Sequence, residues 1–149
     1  MTAAAAVANA RLRHKVWRAL NTDEVAEPNA FAVQAAVAAF EQGGEWLDEL
    51  RQYLYDNKQL VKEFIAKELP QLKLVPSDAT YLLWLDCTSL GITSRELAGH
   101  IRKSTGLYLS SGDIYGSKEC FLRMNIACPK AMVQDGLERL LKAVRTLSL

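Results

Sequence analysis

The stretch Cys120-Phe121-Leu122-Arg123-Met124-Asn125-Ile126-Ala127, followed at once by Cys128-Pro129, decides the fold. An apolar run this short, bounded by turn formers, reads as a strand that should be mostly buried. Pro129 then suits the first turn of a helix, and Val133, Leu137, Leu140, Leu141 and Val144 recur on one helical stripe beyond it. Working back toward the amino terminus, Thr80–Cys87 (TYLLWLDC) is apolar on both faces apart from its ends, as a central strand would be. Between the two, Thr93-Ser94-Arg95-Glu96 spells a capping box opening a helix that runs to about Thr105, with Leu97 and Ile101 facing inward and Gly106 closing it. Leu107–Ser110 reads as a further strand, and so does Leu72–Val75, with Pro76-Ser77-Asp78 turning the chain after it. Residues 72–149 therefore read β-β-α-β-β-α. This is the α+β class: a small, mainly antiparallel sheet with helices packed on one face.

A different period precedes that region. From Glu45 to Leu69, Leu47, Leu50, Leu54, Val61 and Ile65 recur at helical spacings, with Trp46, Tyr53 and Phe64 beside them. One long helix with a core-facing stripe is expected, and Pro70 stops it. A long helix leading into short strands is a connecting rod between two parts of a protein. Earlier still, Glu27-Pro28 makes a turn, Asn29 suits an N-cap, and an Ala-rich helix from Ala30 to Phe40 ends at Gly43-Gly44. Residues 1–26 read as helix broken by Asn21-Thr22-Asp23.

Composition narrows the function. Of 149 residues, 50% are hydrophobic and 23% charged, and 18 Lys+Arg against 17 Asp+Glu leave a formal charge of +1. That balance argues against nucleic acid or an anionic membrane as partner, since either wants a basic excess. No apolar run approaches the roughly 20 residues of a membrane-spanning helix. The apolar start has no positive residue before it, and Arg11 and Arg13 follow it, the reverse of a secretory signal. Cys87, Cys120 and Cys128 are odd in number and form no C-x-x-C, so free thiols and a cytoplasmic location are expected. His14 and His100 stand on different segments, which offers neither a zinc site nor a Cys–His nucleophile pair.

There is no phosphate-binding glycine loop and no nucleophile elbow. Ser110-Ser111-Gly112-Asp113 places hydroxyls beside a glycine and an acid, but these are ordinary turn formers. Arg123 is the residue out of place. Strand alternation puts Phe121, Arg123, Asn125 and Ala127 on one face and Leu122, Met124 and Ile126 on the other. A guanidinium in a buried strand needs an anionic partner. Either an internal carboxylate, Asp86 or Asp113, supplies it, or a ligand does, and the planar fork suits a carboxylate bidentately.

Pro28-Asn29-Ala30-Phe31, Gly44-Glu45-Trp46-Leu47-Asp48, Thr80-Tyr81-Leu82-Leu83-Trp84-Leu85-Asp86 and, above all, Phe121-Leu122-Arg123-Met124-Asn125-Ile126-Ala127-Cys128-Pro129 resemble the class I/II aminotransferases. These are pyridoxal-phosphate enzymes of fold type I, and the nearest branch is the cystathionine β-lyase or C–S lyase group. The similarity runs in order from about Asn9 to Leu147. In that family the arginine of the last strand grips the α-carboxylate of the amino-acid substrate. The matching residue is Arg123, so the resemblance favours a ligand over an internal ion pair. It also implies that Tyr81 and Tyr115 lie on segments approaching the substrate; core or interface packing is the other reading of both.

The resemblance also implies what is missing. The family's cofactor-anchoring lysine lies upstream, in a large domain that holds the cofactor ring and phosphate. No matching segment occurs here, and Lys118 in Gly116-Ser117-Lys118 stands in the wrong place. The expected organisation is a helical segment, 1–43, that packs on the large domain; a connecting helix, 44–71; and a small domain, 72–149. On this reading the chain carries no catalytic, cofactor-binding or metal-binding residue of its own. The parent would be a cytoplasmic homodimeric lyase or aminotransferase, and its partners would be an amino-acid substrate, the large domain and a second subunit. The other reading is a non-catalytic α+β module that binds a partner protein through an exposed apolar face.

Overall fold

The computed structural model describes residues 6–25 and 27–147. Expectations for residues 1–5, for residue 26 and for residues 148–149 lie outside the described residues. Two compact units are formed, Met1–Glu49 and Leu50–Leu149.

The first unit holds α1 (Ala10–Thr22), α2 (Ala32–Gln42) and the start of α3 (Gly44–Glu68). Asn9 caps α1 through Oδ1, which accepts from Leu12 N at 2.9 Å. The expectation that Asn29 caps the second helix is corrected. Asn29 Oδ1 accepts from Phe31 N at 3.1 Å in a local turn, and α2 starts only at Ala32. In this unit only Ala32 is buried among the described residues, while Trp17, Phe31 and Phe40 are 61%, 81% and 92% exposed. Exposed apolar surface of this extent drives association. The isolated chain is therefore expected to self-associate as its concentration rises. A single monomeric species across the whole range in sedimentation velocity would contradict this.

The second unit contains the rest of α3, then β1 (Lys73–Leu74), β2 (Leu82–Asp86), α4 (Ser94–Thr105), β3 (Ser110–Ser111), β4 (Phe121–Asn125) and α5 (Lys130–Arg145). The sheet is antiparallel throughout, in the order β1-β2-β4-β3. The predicted capping box of α4 is complete: Thr93 Oγ1 accepts from Glu96 N at 3.2 Å, and Thr93 N donates to Glu96 Oε2 at 3.0 Å. Gly106 ends α4 in the left-handed region, φ 75°.

Packing separates the two sheet faces. Leu83, Leu85, Leu122 and Met124 are buried and share one core with Leu97 and Ile101 of α4, Leu137 and Leu140 of α5, and Val61 and Ile65 of α3. The opposite face carries Leu82, Trp84, Asp86, Phe121 and Arg123, all half-buried, and Asn125, exposed. β2 is a central strand and the helices pack on one face, as expected, while β4, expected to be mostly buried, is buried on one face only. The apolar composition of the second face comes from Leu82, Trp84 and Phe121, and among the described residues none of the three belongs to the core cluster that α3, α4 and α5 build. Arg123 is accordingly half-buried rather than sealed in.

Two further expectations change. The strand foreseen at Leu107–Ser110 shrinks and shifts to Ser110–Ser111, because pairing exists only opposite Leu122 and Arg123 of β4. The stripe on α3 is buried only in its second half. Leu47 and Tyr53 are exposed, Leu50 and Leu54 half-buried, and Val61 and Ile65 buried. A 25-residue helix is about 38 Å long, and the core cluster takes its fully buried α3 side chains from that second half alone.

Candidate functional site

The open sheet face is ordered in rows. Lys73, Asp86 and Phe121 form one; Trp84, Arg123 and Ser110 the next; Leu82 and Asn125 the third. Residues directly opposite across antiparallel strands project to the same side. Arg123 thus has Trp84 on one flank and Ser110 on the other.

Tyr115 completes the cluster from outside the sheet. It ends the short 3-10 turn Gly112–Tyr115 that follows β3. The Arg123 guanidinium carbon lies 4.4 Å from the centre of the Tyr115 ring, a cation–π contact. Trp84 meets Tyr115 edge-on, with centroids 5.4 Å apart at 84°, and meets Phe121 at 6.3 Å and 75°.

Neither aspartate suggested as an internal partner is paired with Arg123. Asp86 accepts from the Thr88 hydroxyl at 2.6 Å and from Thr88 N at 3.0 Å. Those bonds, the hydroxyl first, hold its carboxyl below the ordinary range. Asp113 accepts from the Ser111 hydroxyl and pairs with Arg95, whose Nη2 and Nε lie 2.7 and 3.1 Å from Oδ2. Its carboxyl is lowered too, by Ser111 first and Arg95 second. Both acids favour the folded chain above the ordinary aspartate pKa of about 3.9, and that contribution is lost as pH falls through their lowered values. Among the described residues, Arg123 makes no ion pair.

The other sequence-derived candidate, Tyr81, sits elsewhere. Its carbonyl accepts from Ile126 N at 3.0 Å, which places it three residues along the strands from the Arg123 row, about 10 Å. Its ring contacts neither Arg123 nor Tyr115 among the described residues. Thr80 before it adopts φ 73°, a left-handed conformation that β-branched residues rarely take. Burial pushes the Cys87 thiol far above the usual range and raises Cys120 as well, which favours the protonated thiol over the thiolate.

Sequence reasoning passed over Trp84 as a site residue, and it read Gly112 as a turn former without its close approach to β4. A side chain at Gly112 would place its Cβ 2.7 Å from the Phe121 carbonyl oxygen and 2.9 Å from the Phe121 Cβ. Only glycine lets the turn carrying Tyr115 lie this close to β4. Gly112→Ala is expected to cost about 1–3 kcal/mol through overpacking, read as a lower unfolding midpoint in denaturant. Alanine tolerated without loss would show that the turn yields freely.

Residues 1–140, which span parts of both units, are matched by the family model for aminotransferase class I and II. The chain belongs to that family. It is 39% identical over 133 residues to cystathionine beta-lyase PatB of Bacillus subtilis (strain 168), covering 89% of this chain and 34% of that protein. Protein MalY of Escherichia coli (strain K12) is 32% identical over 126 residues, 84% of this chain and 32% of that protein. Among solved structures, the PLP-bound C-S lyase from Staphylococcus hominis superposes with a TM-score of 0.77 at 28% identity, over 91% of this chain and 36% of that one. The chain spans about a third of the length of the curated relatives it matches.

The described residues do not by themselves fit the cofactor this family implies. Pyridoxal phosphate needs an amine for its aldehyde and an acid facing its ring nitrogen. The lysine on the open face, Lys73, lies two strands and one row from Arg123, roughly 12 Å by strand spacing. Asp86 and Asp113 are both engaged as described. What the cluster can bind is an anion: a half-exposed guanidinium on an aromatic seat, with no internal counter-ion.

Proposed function

We propose that this chain is the carboxyl-terminal part of a pyridoxal-phosphate-dependent C–S β-lyase, with an aminotransferase as the nearest alternative chemistry, and that Arg123 receives the α-carboxylate of its amino-acid substrate. One observation carries the reading: Arg123 stands half-exposed on the uncovered sheet face while both nearby aspartates are engaged elsewhere. The likeness to PatB, to MalY and to the S. hominis C-S lyase supports the lyase branch. The cofactor, when bound, supplies the electron sink for breaking bonds at Cα, and the remaining two thirds of the protein would hold it. Arg123's part is to grip one end of the substrate, so that Cα presents a fixed bond to the reacting groups.

In this reading residues 1–43 pack on the large domain, 44–71 connect, and 72–149 form the small domain of a cytoplasmic homodimer. Three free cysteines suit a reducing compartment. Among the described residues no helix is long and apolar enough to cross a membrane.

Two measurements test the proposal. In the complete protein, an amino-acid substrate should be turned over and its α-carboxamide should not, since the amide offers Arg123 no anion. Equal turnover of the two would remove Arg123 from substrate binding. The 149-residue chain alone, mixed with pyridoxal phosphate, is expected to give no one-to-one absorbance band that hydroxylamine discharges. Such a band would show that the chain holds the cofactor unaided.

A further inference from the structure

We propose that Tyr115, held edge-on by Trp84, is a positioning residue that presents the Arg123 guanidinium to a carboxylate. The inference rests on the reading of Arg123 given above and adds a part to it. A guanidinium carries its five N–H donors in its plane, at the rim, and its two faces have none. An aromatic ring against one face therefore competes with no hydrogen bond that a carboxylate would make. It removes rotamers instead, and an arginine that starts in the receiving geometry loses less freedom on binding.

The seat is built. Tyr115 is 45% exposed, yet three contacts fix the turn that bears it. Gly112 allows the turn to touch the Phe121 backbone. Asp113 is tied to Arg95 of α4 at 2.7 Å and accepts from the Ser111 hydroxyl. Trp84, opposite Arg123 in the sheet, stops the Tyr115 ring from swinging away by its edge contact at 5.4 Å. The strand, the turn and the amino-terminal end of α4 thus converge on the orientation of one side chain.

The test uses the complete protein labelled with 15N-arginine, and the Arg123 Nε–Hε signal is identified by its disappearance in Arg123→Lys. In the unaltered protein this signal should be displaced upfield by the Tyr115 ring current. It should also move on titration with L-alanine and not with L-alaninamide. Tyr115→Phe should keep the displacement and the affinity. Tyr115→Leu should lose the displacement and weaken L-alanine binding by about threefold, within the range that immobilising one side chain costs. Unchanged affinity in Tyr115→Leu would overturn the positioning role and leave Arg123 as the carboxylate receptor. No response to L-alanine in the unaltered protein would overturn the receptor reading and the positioning role with it.

Discussion

Arg123→Leu, made in the complete enzyme, is expected to lower kcat/KM for amino-acid substrates by roughly 10²- to 10³-fold. A bidentate pair makes two hydrogen bonds between charged groups, each contributing about 1.5–3 kcal/mol. Part of that is offset by desolvating a guanidinium that stands half-exposed, so about 3–4 kcal/mol is the working figure, and each 1.36 kcal/mol is a tenfold change in rate. How the loss divides reports on mechanism. If Arg123 only retains the substrate, KM rises and kcat holds. If it also sets the direction of the bond that breaks, kcat falls as well, because the interaction is then worth more at the transition state than in the bound substrate. The second pattern is expected, since a carboxylate gripped at two points cannot rotate about Cα. Arg123→Lys keeps the charge and loses the fork, so it should fall between leucine and arginine. A change of less than threefold in kcat/KM for Arg123→Leu would return Arg123 to a structural role.

Much of the small unit was legible before any coordinates, and the reasons are local. The capping box of Thr93 and Glu96, the left-handed Gly106 and the stripe Val133, Leu137, Leu140, Leu141 and Val144 each depend on residues close in sequence. Strand faces were harder. TYLLWLDC is apolar at nearly every position, so its composition cannot tell a strand covered on both sides from one whose second face ends in half-exposed Leu82 and Trp84. The short edges β1 and β3, two residues each, follow from where β2 and β4 offer a partner. At the site, Arg123 announced itself by being charged in an apolar strand. Trp84 did not, because an aromatic there is what any strand would carry, and its role depends on Tyr115 arriving from a turn some thirty residues away. Asn57 did leave a signal. It stands where an apolar residue belongs in the stripe Leu50, Leu54, Asn57, Val61, Ile65, and a polar residue at a core position asks for partners.

Those partners give Asn57→Leu a large expected stability effect in the Leu50–Leu149 unit. Asn57 is 1% exposed, and its Nδ2 donates to the carbonyls of Ile126 at 3.0 Å and Cys128 at 3.1 Å. These carbonyls lie where the chain leaves β4 and turns into α5, so one amide on α3 pins the end of the strand that carries Arg123. Leucine matches the number of side-chain heavy atoms but takes this donor from the buried Ile126 carbonyl and the half-buried Cys128 carbonyl, at about 1–3 kcal/mol for a buried acceptor left unpaired. A net cost of roughly 2–4 kcal/mol follows once the added apolar contact is credited. For a unit near 100 residues, 1 kcal/mol moves the melting temperature by about 4–8 °C. A drop of roughly 10–20 °C, read by far-ultraviolet circular dichroism, is expected. Asn57→Asp separates lost hydrogen bonding from lost shape, because aspartate is isosteric. Ionised, it would aim a charge at two carbonyl oxygens; protonated, it can donate to one of them. The buried carboxyl's folded-state pKa is then raised, so the variant's deficit should be smallest at acid pH and grow as pH rises above the ordinary aspartate value of about 3.9. A deficit independent of pH in Asn57→Asp, or a melting temperature unchanged in Asn57→Leu, would show that the carbonyls of Ile126 and Cys128 find other donors and that α3 does not hold the end of β4.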